Sequence, residues 1–562
     1  MTRRPCRAAA CLAMVLAPAL APAGETPPGA AVATGHPLAT QAAVDTLAAD
    51  GNAFDAAVAA AATLAVVEPH GSGLGGGGFW LLHRARDGHQ VMLDARETAP
   101  AAASRTMYQD ADGELRPRDS LDGPRAAGIP GIPAALDRLT DDYGNRDLAA
   151  NLAPAIHHAR DGFRVTEGYR DMARFRRDVL RASPAASRAF LDNGAVPAAG
   201  SRIQQPELAR TLERLAAEGR AGFYQGPVAE RLVAGTREAG GLWRMQDLAD
   251  YRVVAREPVQ GRYGDVTVTA AAPPSAGGIG LVTMLNVLAA MDGKADSQAQ
   301  RIHRRVEAMR RAYRDRQQYL GDPDFVSIPR ERLTGRAHAR RLARSFDPER
   351  ATPSRSLPEV RARGEDTTHL SVIDRHGNRV AATLSINYPF GSGFMPPETG
   401  VVLNNEMDDF ASRPGKANAY GLVGGEANAI APGKRPLSSM TPTFLASDKR
   451  VAVLGSPGGS RIVTQLLLAT LAFAEGESPS QWLARARYHH QYLPDRIEHE
   501  PGALSLETRQ RLVDMGHYPQ PMTRQYGDMQ VALWHRGRER MAAASDPRGE
   551  GAAMTTDQHG DE

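Results

Sequence analysis

The sequence has almost no cysteine. Its only two, Cys6 and Cys11, lie close to the start of the 562 residues. The rest of the chain therefore offers no disulfide, no cysteine-bound metal and no cysteine nucleophile. Long apolar runs are also missing after the first residues, whereas a membrane-spanning helix needs about 20 apolar residues. Neither sign of charge dominates, with 67 Lys and Arg against 64 Asp and Glu. This balance argues against a broad basic surface for nucleic acid.

The first residues have the pattern of a secretory signal. Arg3, Arg4 and Arg7 precede a short apolar run at 8–20, and small residues follow at 21–23. A basic start, a short apolar stretch and small residues at the cleavage position are typical of exported proteins. We expect residues 1–23 to be a signal peptide and the product to be periplasmic or secreted. The alternative is a disordered Ala/Pro leader on a cytosolic protein.

The remaining composition is that of a globular protein, with 42% hydrophobic and 23% charged residues. Apolar periodicity and capping residues predict helices, whose ranges are 37–50, 53–67, 206–218, 298–318 and about 461–474. Alternating or β-rich runs predict strands at 367–373, 380–387, 441–446 and 450–455. A charged, proline-containing stretch at 352–366 indicates an exposed linker. We expect one α+β unit with a cut site, not two independent domains.

Three other patterns favour ordinary structural explanations. The glycine-rich stretch 71–79 contains a GxGxxG spacing, but a helix precedes it and a strand follows, the reverse of a dinucleotide-binding loop. It predicts a tight packing turn or backbone close to an active site. The histidine pairs 157–158 and 489–490 point to different sides of their elements, so we expect no metal site. Seven arginines between 301 and 316 indicate a solvated helix face more than an RNA-binding one.

The block 365–461 carries the chemical signal. A threonine hydroxyl needs an adjacent base to act as a nucleophile. If Thr367 began a chain, its own α-amine, with an ordinary pKa of about 7.7–8.0, would be that base. Gly458 and Gly459 precede a helix, where their N–H groups can face a developing oxyanion. Taken alone, these glycines are better explained as a simple strand–turn–helix connection. Likewise 408–409 fits a solvated acidic turn and 438–439 an ordinary loop.

Taken together, the motifs of this block resemble the γ-glutamyltranspeptidase family. The matching stretches are DTTHLSVID, LNNEMDDF, YGLVGGEANAIAPGKRPLSSMTPT and GSPGGSRI. Earlier matches are GNAFDAAVAAAATLAVVEPHGSGLGGGGF, ARETAP and YLGDPDF, and later ones are RYHHQYLPD and ASDPR. The resemblance implies an N-terminal-nucleophile hydrolase fold, an αββα sandwich with two antiparallel sheets between helical layers. It also implies cleavage between Asp366 and Thr367, giving a large subunit of 24–366 and a small one of 367–562 within one αββα unit.

The resemblance also implies a role for each matching residue. Thr367 would be the nucleophile, Ser385 would stand where the family often has threonine, and Gly458 and Gly459 would form the oxyanion hole. Recognition of the γ-glutamyl group would fall to a further set of residues: Arg96 and the serines Ser438 and Ser439 for the carboxylate, Asn387, Glu406 and Asp409 for the ammonium, and Tyr420 for the lid. No cofactor and no metal are expected.

The implied activity is transfer of the γ-glutamyl group of glutathione, or of another γ-glutamyl amide, to water, amino acids or dipeptides. One alternative is an acylase of the same fold that acts on glutaryl groups. These groups carry no ammonium, so Glu406 and Asp409 would have no charged group of the substrate to bind. A polyglutamate-attaching transpeptidase should have a more open site, against which Tyr420 argues. A non-catalytic, unprocessed binding protein is the alternative from another class.

Overall fold

The structure is a computed structural model, and it describes residues 26–557 except 117, 292, 294, 355–366, 417, 419 and 420. The signal-peptide prediction for 1–23 therefore lies outside the described residues, as do Asp366 and Tyr420.

The described strands follow one another along the chain as β1 (Gly29–Thr34), β2 (Gly77–Arg84), β3 (His89–Ala95), β4 (Phe163–Arg164), β5 (Arg202–Ile203), β6 (Val254–Arg256), β7 (Val259–Tyr263), β8 (Val266–Ala270), β9 (Thr368–Ile373), β10 (Arg379–Ser385), β11 (Thr443–Ala446), β12 (Arg450–Gly455), β13 (Tyr488–His489), β14 (Ile497–His499), β15 (Pro519–Pro521), β16 (Gln530–His535), β17 (Arg540–Ser545) and β18 (Ala552–Asp557).

The described helices are α1 (Pro37–Ala48), α2 (Ala53–Val67), α3 (Ile132–Tyr143), α4 (Leu148–Asp161), α5 (Glu167–Ala182), α6 (Pro184–Phe190), α7 (Pro206–Glu218), α8 (Ala221–Tyr224), α9 (Gly226–Glu238), α10 (Met245–Asp250), α11 (Gly277–Ala290), α12 (Gln298–Tyr319), α13 (Arg330–Thr334), α14 (Arg336–Ala343), α15 (Ile462–Ala474), α16 (Pro479–Ala484) and α17 (Leu506–Asp514).

Two antiparallel sheets form the centre of the molecule. The first has seven strands in the order β18-β1-β9-β10-β2-β3-β6, and the second has six in the order β17-β16-β12-β11-β8-β7. Side chains of one strand alternate between the two faces of its sheet. In β2, Trp80 and Leu82 accordingly join the core under the outer helices, while Phe79 and Leu81 join the core between the sheets. The αββα sandwich that the resemblance implied is confirmed.

Both sheets mix strands from before and after residue 367. In the first, β9 and β10 lie between β1 and β2; in the second, β8 pairs with β11. The helices and strands predicted from periodicity are present with small shifts at their ends. Since the two parts share both sheets, separating them would break hydrogen-bonded ladders and expose both cores.

The arginine run in α12 differs from the prediction of a solvated face. Arg310, Arg311 and Arg316 are buried, although Arg301 and Arg314 are exposed. Two of the buried arginines are tolerated because they are paired: the Glu307 carboxylate, one turn earlier, accepts bonds from both Arg310 and Arg311. A run of like charges in sequence gave no sign of these partners.

The glycine-rich stretch is a packing turn beside the sheet, as predicted. A Cβ atom on Gly75 would lie 2.0 Å from the carbonyl oxygen of Val402, and one on Gly76 would lie 2.1 Å from that of Ser385. The Gly75 carbonyl accepts a bond from the Asn404 side chain at 2.7 Å. Only glycine permits these backbone approaches. The turn thus fixes the positions of the two segments that carry Ser385 and Asn404.

None of the described helices combines the length and the apolar character that a membrane crossing requires.

Replacing Gly75 with alanine should prevent correct folding or cost several kcal/mol, because the added methyl group overlaps a backbone oxygen that cannot move alone. Thermal unfolding and the yield of soluble protein measure the effect. Gly537→Ala is the matched control, since a Cβ there meets no atom within 4 Å. Equal unfolding temperatures for the two variants would contradict the packing role.

Candidate active site

Strand pairing places the candidate nucleophile. Thr368 pairs with Leu384 between β9 and β10, so Thr367, one residue earlier, lies beside Ser385. Their hydroxyl oxygens are 3.4 Å apart. The Ser385 hydroxyl also accepts a bond from the backbone N–H of Asn387 at 2.8 Å. The register of two adjacent strands therefore sets the surroundings of the Thr367 hydroxyl.

A cavity beside Thr367 collects most of the predicted site residues, which come from distant parts of the sequence. Its lining includes Arg96, Thr367, Ser385, Asn387, Glu406, Asp409, Ser438, Ser439 and Gly459. Gly458 borders a second cavity on another side of Thr367. The predicted positions Asp366 and Tyr420 are not among the described residues.

The Arg96 guanidinium is the central charge of this cavity, and its side chain is only 1% exposed. One terminal nitrogen lies 2.6 Å from Glu406 Oε2, and the other pairs with Asp409 Oδ2. The Nε–H group donates to the Pro436 carbonyl at 3.2 Å. Arg96 thus has a fixed position, with acids on both terminal nitrogens.

The backbone of Arg96 is held on both sides. Its N–H donates to Asp94 Oδ1 at 3.0 Å, and its carbonyl accepts from the Tyr251 hydroxyl at 2.9 Å and from Arg435. Asp94 is in turn paired with Arg256 at 2.7 Å. Such supporting contacts keep a binding group in one orientation before a ligand arrives.

Three acids surround this one guanidinium, and burial shifts the pKa values of two of them. Burial raises the pKa of Glu97 to about 8, although the Arg96 charge works against the rise. Burial also raises the pKa of Glu406 well above its ordinary value. Burial alone would lower the pKa of Arg96, but the charges of Glu406 and Asp409 outweigh it and raise that pKa. A permanently charged arginine therefore faces two glutamate carboxyl groups, Glu97 and Glu406, that bind a proton more tightly than ordinary glutamates.

The neighbouring acids Asp408 and Asp409 point to different places. Both lie in the 3₁₀ turn Glu406–Asp409, where successive side chains are about 120° apart. Asp409 faces Arg96, whereas Asp408 Oδ1 accepts from the Ser120 hydroxyl at 2.7 Å. The structure therefore separates an acidic pair that the sequence presents as equivalent.

Polar groups line the rest of the cavity. The buried Ser439 hydroxyl has no hydrogen-bond partner within the described ranges. The Ser438 hydroxyl accepts from the backbone of Met440 at 3.1 Å. Asn387 has a positive φ of 74° and donates from its amide to the Asn405 carbonyl at 2.9 Å. The cavity thus offers one open hydroxyl beside the arginine.

The two glycines of the predicted oxyanion hole lie where β12 turns into α15. Gly458 has a φ of 129° and Gly459 a φ of 53°, values that side-chain-bearing residues rarely adopt. The 3₁₀ turn Gly459–Arg461 runs directly into α15 at Ile462. The helix start directs its positive dipole end toward this turn. The pair thus lies near Thr367 with a backbone shape that glycine allows.

Two charged residues of the cavity region escaped prediction. Arg316 of α12 lines the cavity, and burial lowers its pKa against the nearby Asp409 charge. Both carboxyl oxygens of Glu97 are buried and lack hydrogen-bond partners among the described residues. Glu97 follows Arg96 directly. Two adjacent charged residues at the end of a buried strand were therefore the sequence feature that could have indicated it. Arg316 had no local signal, because it looks like any other arginine of its helix.

One group of metal-binding residue types occurs in the described ranges, away from this cavity. Ligand atoms of His303, Glu307 and His517 lie within 4.8 Å of one another. However, His303 Nδ1 and His517 Nε2 are 2.7 Å apart and can share a hydrogen bond, while Arg310 and Arg311 hold Glu307. These contacts explain the cluster as a buried polar network.

Comparison with known proteins agrees with this geometry. The family model described as Gamma-glutamyltranspeptidase matches residues 39–556. The chain is 41% identical over 479 residues to the glutathione hydrolase proenzyme of Escherichia coli (strain K12), covering 84% of this chain and 82% of that protein. It is 39% identical over 543 residues to the glutathione hydrolase proenzyme of Pseudomonas sp. (strain A14), covering 94% of each.

Solved structures give the same result. Cephalosporin acylase from Bacillus halodurans superposes with a TM-score of 0.83 at 26% identity, covering 96% of this chain and 99% of that one. The γ-glutamyltranspeptidase of Helicobacter pylori gives 0.55 at 37% identity, covering 57% and 92%. Two antiparallel sheets between helices, with Thr367 directly before a central strand, are the fold of an N-terminal-nucleophile hydrolase. Within that class, the chain belongs to the γ-glutamyltranspeptidase family.

Replacing Glu97 with glutamine should make stability depend less on pH. The folded state holds a proton on Glu97 up to about pH 8, whereas an unfolded glutamate loses it near 4.5. Folded-state stability from this group is therefore present at low pH and declines as pH rises between these values. Urea unfolding at pH 5 and pH 8 should show a smaller decline for Glu97→Gln than for the wild type. Parallel declines would refute the buried, protonated state; Glu230→Gln, at an exposed position, is the control.

Proposed function

We propose that this protein cleaves itself before Thr367 and then transfers the γ-glutamyl group of glutathione, or of another γ-glutamyl amide, to water or an amine. One observation carries the proposal: a single cavity contains the Thr367 hydroxyl together with a buried arginine flanked by two acids. A γ-glutamyl group has a carboxylate and an ammonium at one end and an amide at the other. The cavity matches both ends.

Recognition of the amino acid head follows from the Arg96 ion pairs. Arg96 would bind the carboxylate with two parallel hydrogen bonds, and Ser438 and Ser439 would add hydroxyl contacts. Asp409 and Glu406, with Asn387, would take the ammonium. In the empty cavity Arg96 contacts both acids directly. In the complex the substrate carboxylate would pair with Arg96 and the ammonium with Asp409, so no charge becomes buried without a partner.

Self-cleavage supplies the working nucleophile. The Thr367 hydroxyl attacks the carbonyl carbon of Asp366, the peptide C–N bond breaks, and water hydrolyses the resulting ester. The freed α-amine then takes the hydroxyl proton when Thr367 attacks the substrate amide. Ser385, 3.4 Å away, orients the hydroxyl. Backbone N–H groups of Gly458 and Gly459 would stabilise the oxyanion, and the γ-glutamyl ester then passes to water or an amine.

The products would be a large subunit of 24–366 and a small subunit of 367–562. Their shared sheets support a complex that stays together without disulfides. The basic and apolar leader of 1–23 supports export, with periplasm and medium both compatible with it. Tyr420 would cover the occupied cavity as part of a lid.

An acylase acting on glutaryl groups is the second candidate, because the acylase from Bacillus halodurans superposes over nearly the whole chain. A glutaryl group has a carboxylate but no ammonium. Asp409 and Glu406 would then have no ligand group to contact. Their direct pairing with Arg96 at the cavity wall supports the γ-glutamyl substrate instead.

Thr367→Ala should leave the chain uncleaved and inactive, because no hydroxyl remains to attack the Asp366 carbonyl. A denaturing gel should show one band of the full 60.2 kDa chain, less any leader, in place of two fragments. Thr367→Ser retains a hydroxyl and should still be processed, although at a different rate. Processing and activity in the alanine variant, or a wild-type small fragment that does not begin Thr-Thr-His-Leu, would refute the assignment.

Asp409→Asn should lower kcat/KM for γ-glutamyl-p-nitroanilide by on the order of 100-fold, since the partly buried charge partner of the ammonium is lost. Turnover of the glutaryl analogue, which the wild type should cleave poorly, should not fall further. Asp408→Asn is the matched control, because Asp408 contacts Ser120 instead of Arg96. Equal effects of the two substitutions, or a wild-type preference for the glutaryl substrate, would contradict head-group recognition by Asp409.

A further inference from the structure

Arg316 of α12 is a buried cation to which the described residues offer no direct partner. It is only 7% exposed, and it lines the cavity that contains Thr367. Its Nε atom is buried without a hydrogen-bond partner, and within the described ranges its terminal nitrogens make no hydrogen bond and no ion pair. On the same helix, Arg310 and Arg311 are instead held by Glu307. Burying a charge without such a partner destabilises a fold.

Arg316 lies beside the turn that carries the predicted oxyanion hole. Tyr313, three residues earlier on α12, donates from its hydroxyl to the carbonyl of Ser460, which belongs to the turn Gly459–Arg461. Residues three apart lie on the same side of a helix, so Arg316 follows Tyr313 along the side of α12 that meets this turn. Arg316 and Ser460 accordingly line one small cavity with Thr367, whose volume is about 330 Å³.

The charges around this cavity favour an excess of positive charge before any reaction. Arg96 and Arg316 are permanent cations, because arginine keeps its proton in proteins. Burial raises the pKa of Glu97 to about 8 and that of Glu406 well above its ordinary value, which favours their uncharged forms. The charge of Asp409 acts on both arginines, but its carboxylate contacts only Arg96. A γ-glutamyl head adds one carboxylate and one ammonium, so its binding leaves the excess unchanged.

New negative charge would arise in the cavity when Thr367 attacks the substrate. The α-amine takes the hydroxyl proton, a bond forms between Thr367 Oγ and the amide carbonyl carbon, and the carbonyl electron pair moves to its oxygen. Collapse of this intermediate restores the carbonyl, breaks the C–N bond and passes the proton from the α-ammonium to the leaving nitrogen. A cation that gains a counter-charge only during this step stabilises the transition state more than the bound substrate, and so raises the rate.

We propose that the charge of Arg316 stabilises the oxyanion that forms when Thr367 attacks a carbonyl. This inference rests on the proposed function, because it concerns the step that forms the γ-glutamyl ester. The backbone N–H groups of Gly458 and Gly459 would contact the oxyanion directly, whereas Arg316 acts through its field from the cavity wall. The same charge would assist self-cleavage, in which the oxyanion forms on the carbonyl of Asp366.

Arg316→Gln tests this role, because it removes the charge and keeps a polar side chain. The value of kcat/KM for γ-glutamyl-p-nitroanilide should fall by about tenfold or more, since a charge that stabilises the oxyanion is lost. Arg316→Lys keeps a positive charge and should retain more activity than Arg316→Gln. Arg314→Gln is the matched control, because Arg314 is exposed on the same helix, and it should leave kcat/KM unchanged.

Two inhibitors separate stabilisation of the oxyanion from recognition of the amino acid head. In 2-amino-4-boronobutanoic acid, boron takes the position of the substrate carbonyl carbon, and addition of Thr367 Oγ converts it to a tetrahedral anion. L-Norvaline has the same head but an uncharged methyl group in that position. Arg316→Gln should weaken inhibition by the boronic acid by the factor by which it lowers kcat/KM, and should change inhibition by norvaline by less than about threefold.

The outcomes distinguish the possible roles. Equal weakening of both inhibitors would assign Arg316 to recognition of the head, and unchanged inhibition by the boronic acid would show that its charge does not act on the oxyanion; either result would overturn the inference. If Arg316→Gln is not processed, self-cleavage of the Arg316→Lys and Arg316→Met precursors is followed on a denaturing gel. The lysine variant should cleave faster, and equal rates would overturn the inference. A wild type that neither cleaves γ-glutamyl-p-nitroanilide nor binds the boronic acid would instead refute the proposed function itself.

Discussion

The antiparallel pairing of β9 with β1 and β10 is the constraint on which the site depends. Thr367 precedes β9 directly, so the register that pairs Thr368 with Leu384 also puts the Thr367 hydroxyl 3.4 Å from that of Ser385. These central strands lie between strands from the first part of the chain. The sheet must therefore form before any cut at this position, because only the paired strands hold the reacting groups together. A chain cut earlier would have to assemble the same sheet from two pieces.

The proposed site also requires a buried cluster of charged residues around Arg96. Charges removed from water destabilise a fold unless they are paired and hydrogen-bonded. Arg96 has acids on both terminal nitrogens, and its carbonyl is held by Tyr251 and Arg435. Burial raises the pKa values of Glu97 and Glu406, which favours their uncharged forms and limits the negative charge in the cluster. This destabilisation is expected in a site whose ligand carries both a carboxylate and an ammonium.

The sequence predicted much of the fold but less of the site's electrostatics. Helices such as α2 and α7 and the strands around 367–385 follow from local periodicity and capping. The motifs also located Arg96, Asp409 and the glycine pair. Local patterns did not reveal that Asp408 turns toward Ser120, or that Arg316 is buried beside the cavity. Both depend on contacts between segments far apart in sequence, for which an isolated stretch carries no signal.

The position of Thr367 between two cavities bears on the competition between water and amines. If the first cavity holds the γ-glutamyl head through Arg96, as proposed, the ester carbonyl would have one orientation relative to the second. Water needs no binding site, whereas an amine must be both held and deprotonated before it attacks. The balance between hydrolysis and transfer would therefore depend on groups outside the cavity that recognises the donor.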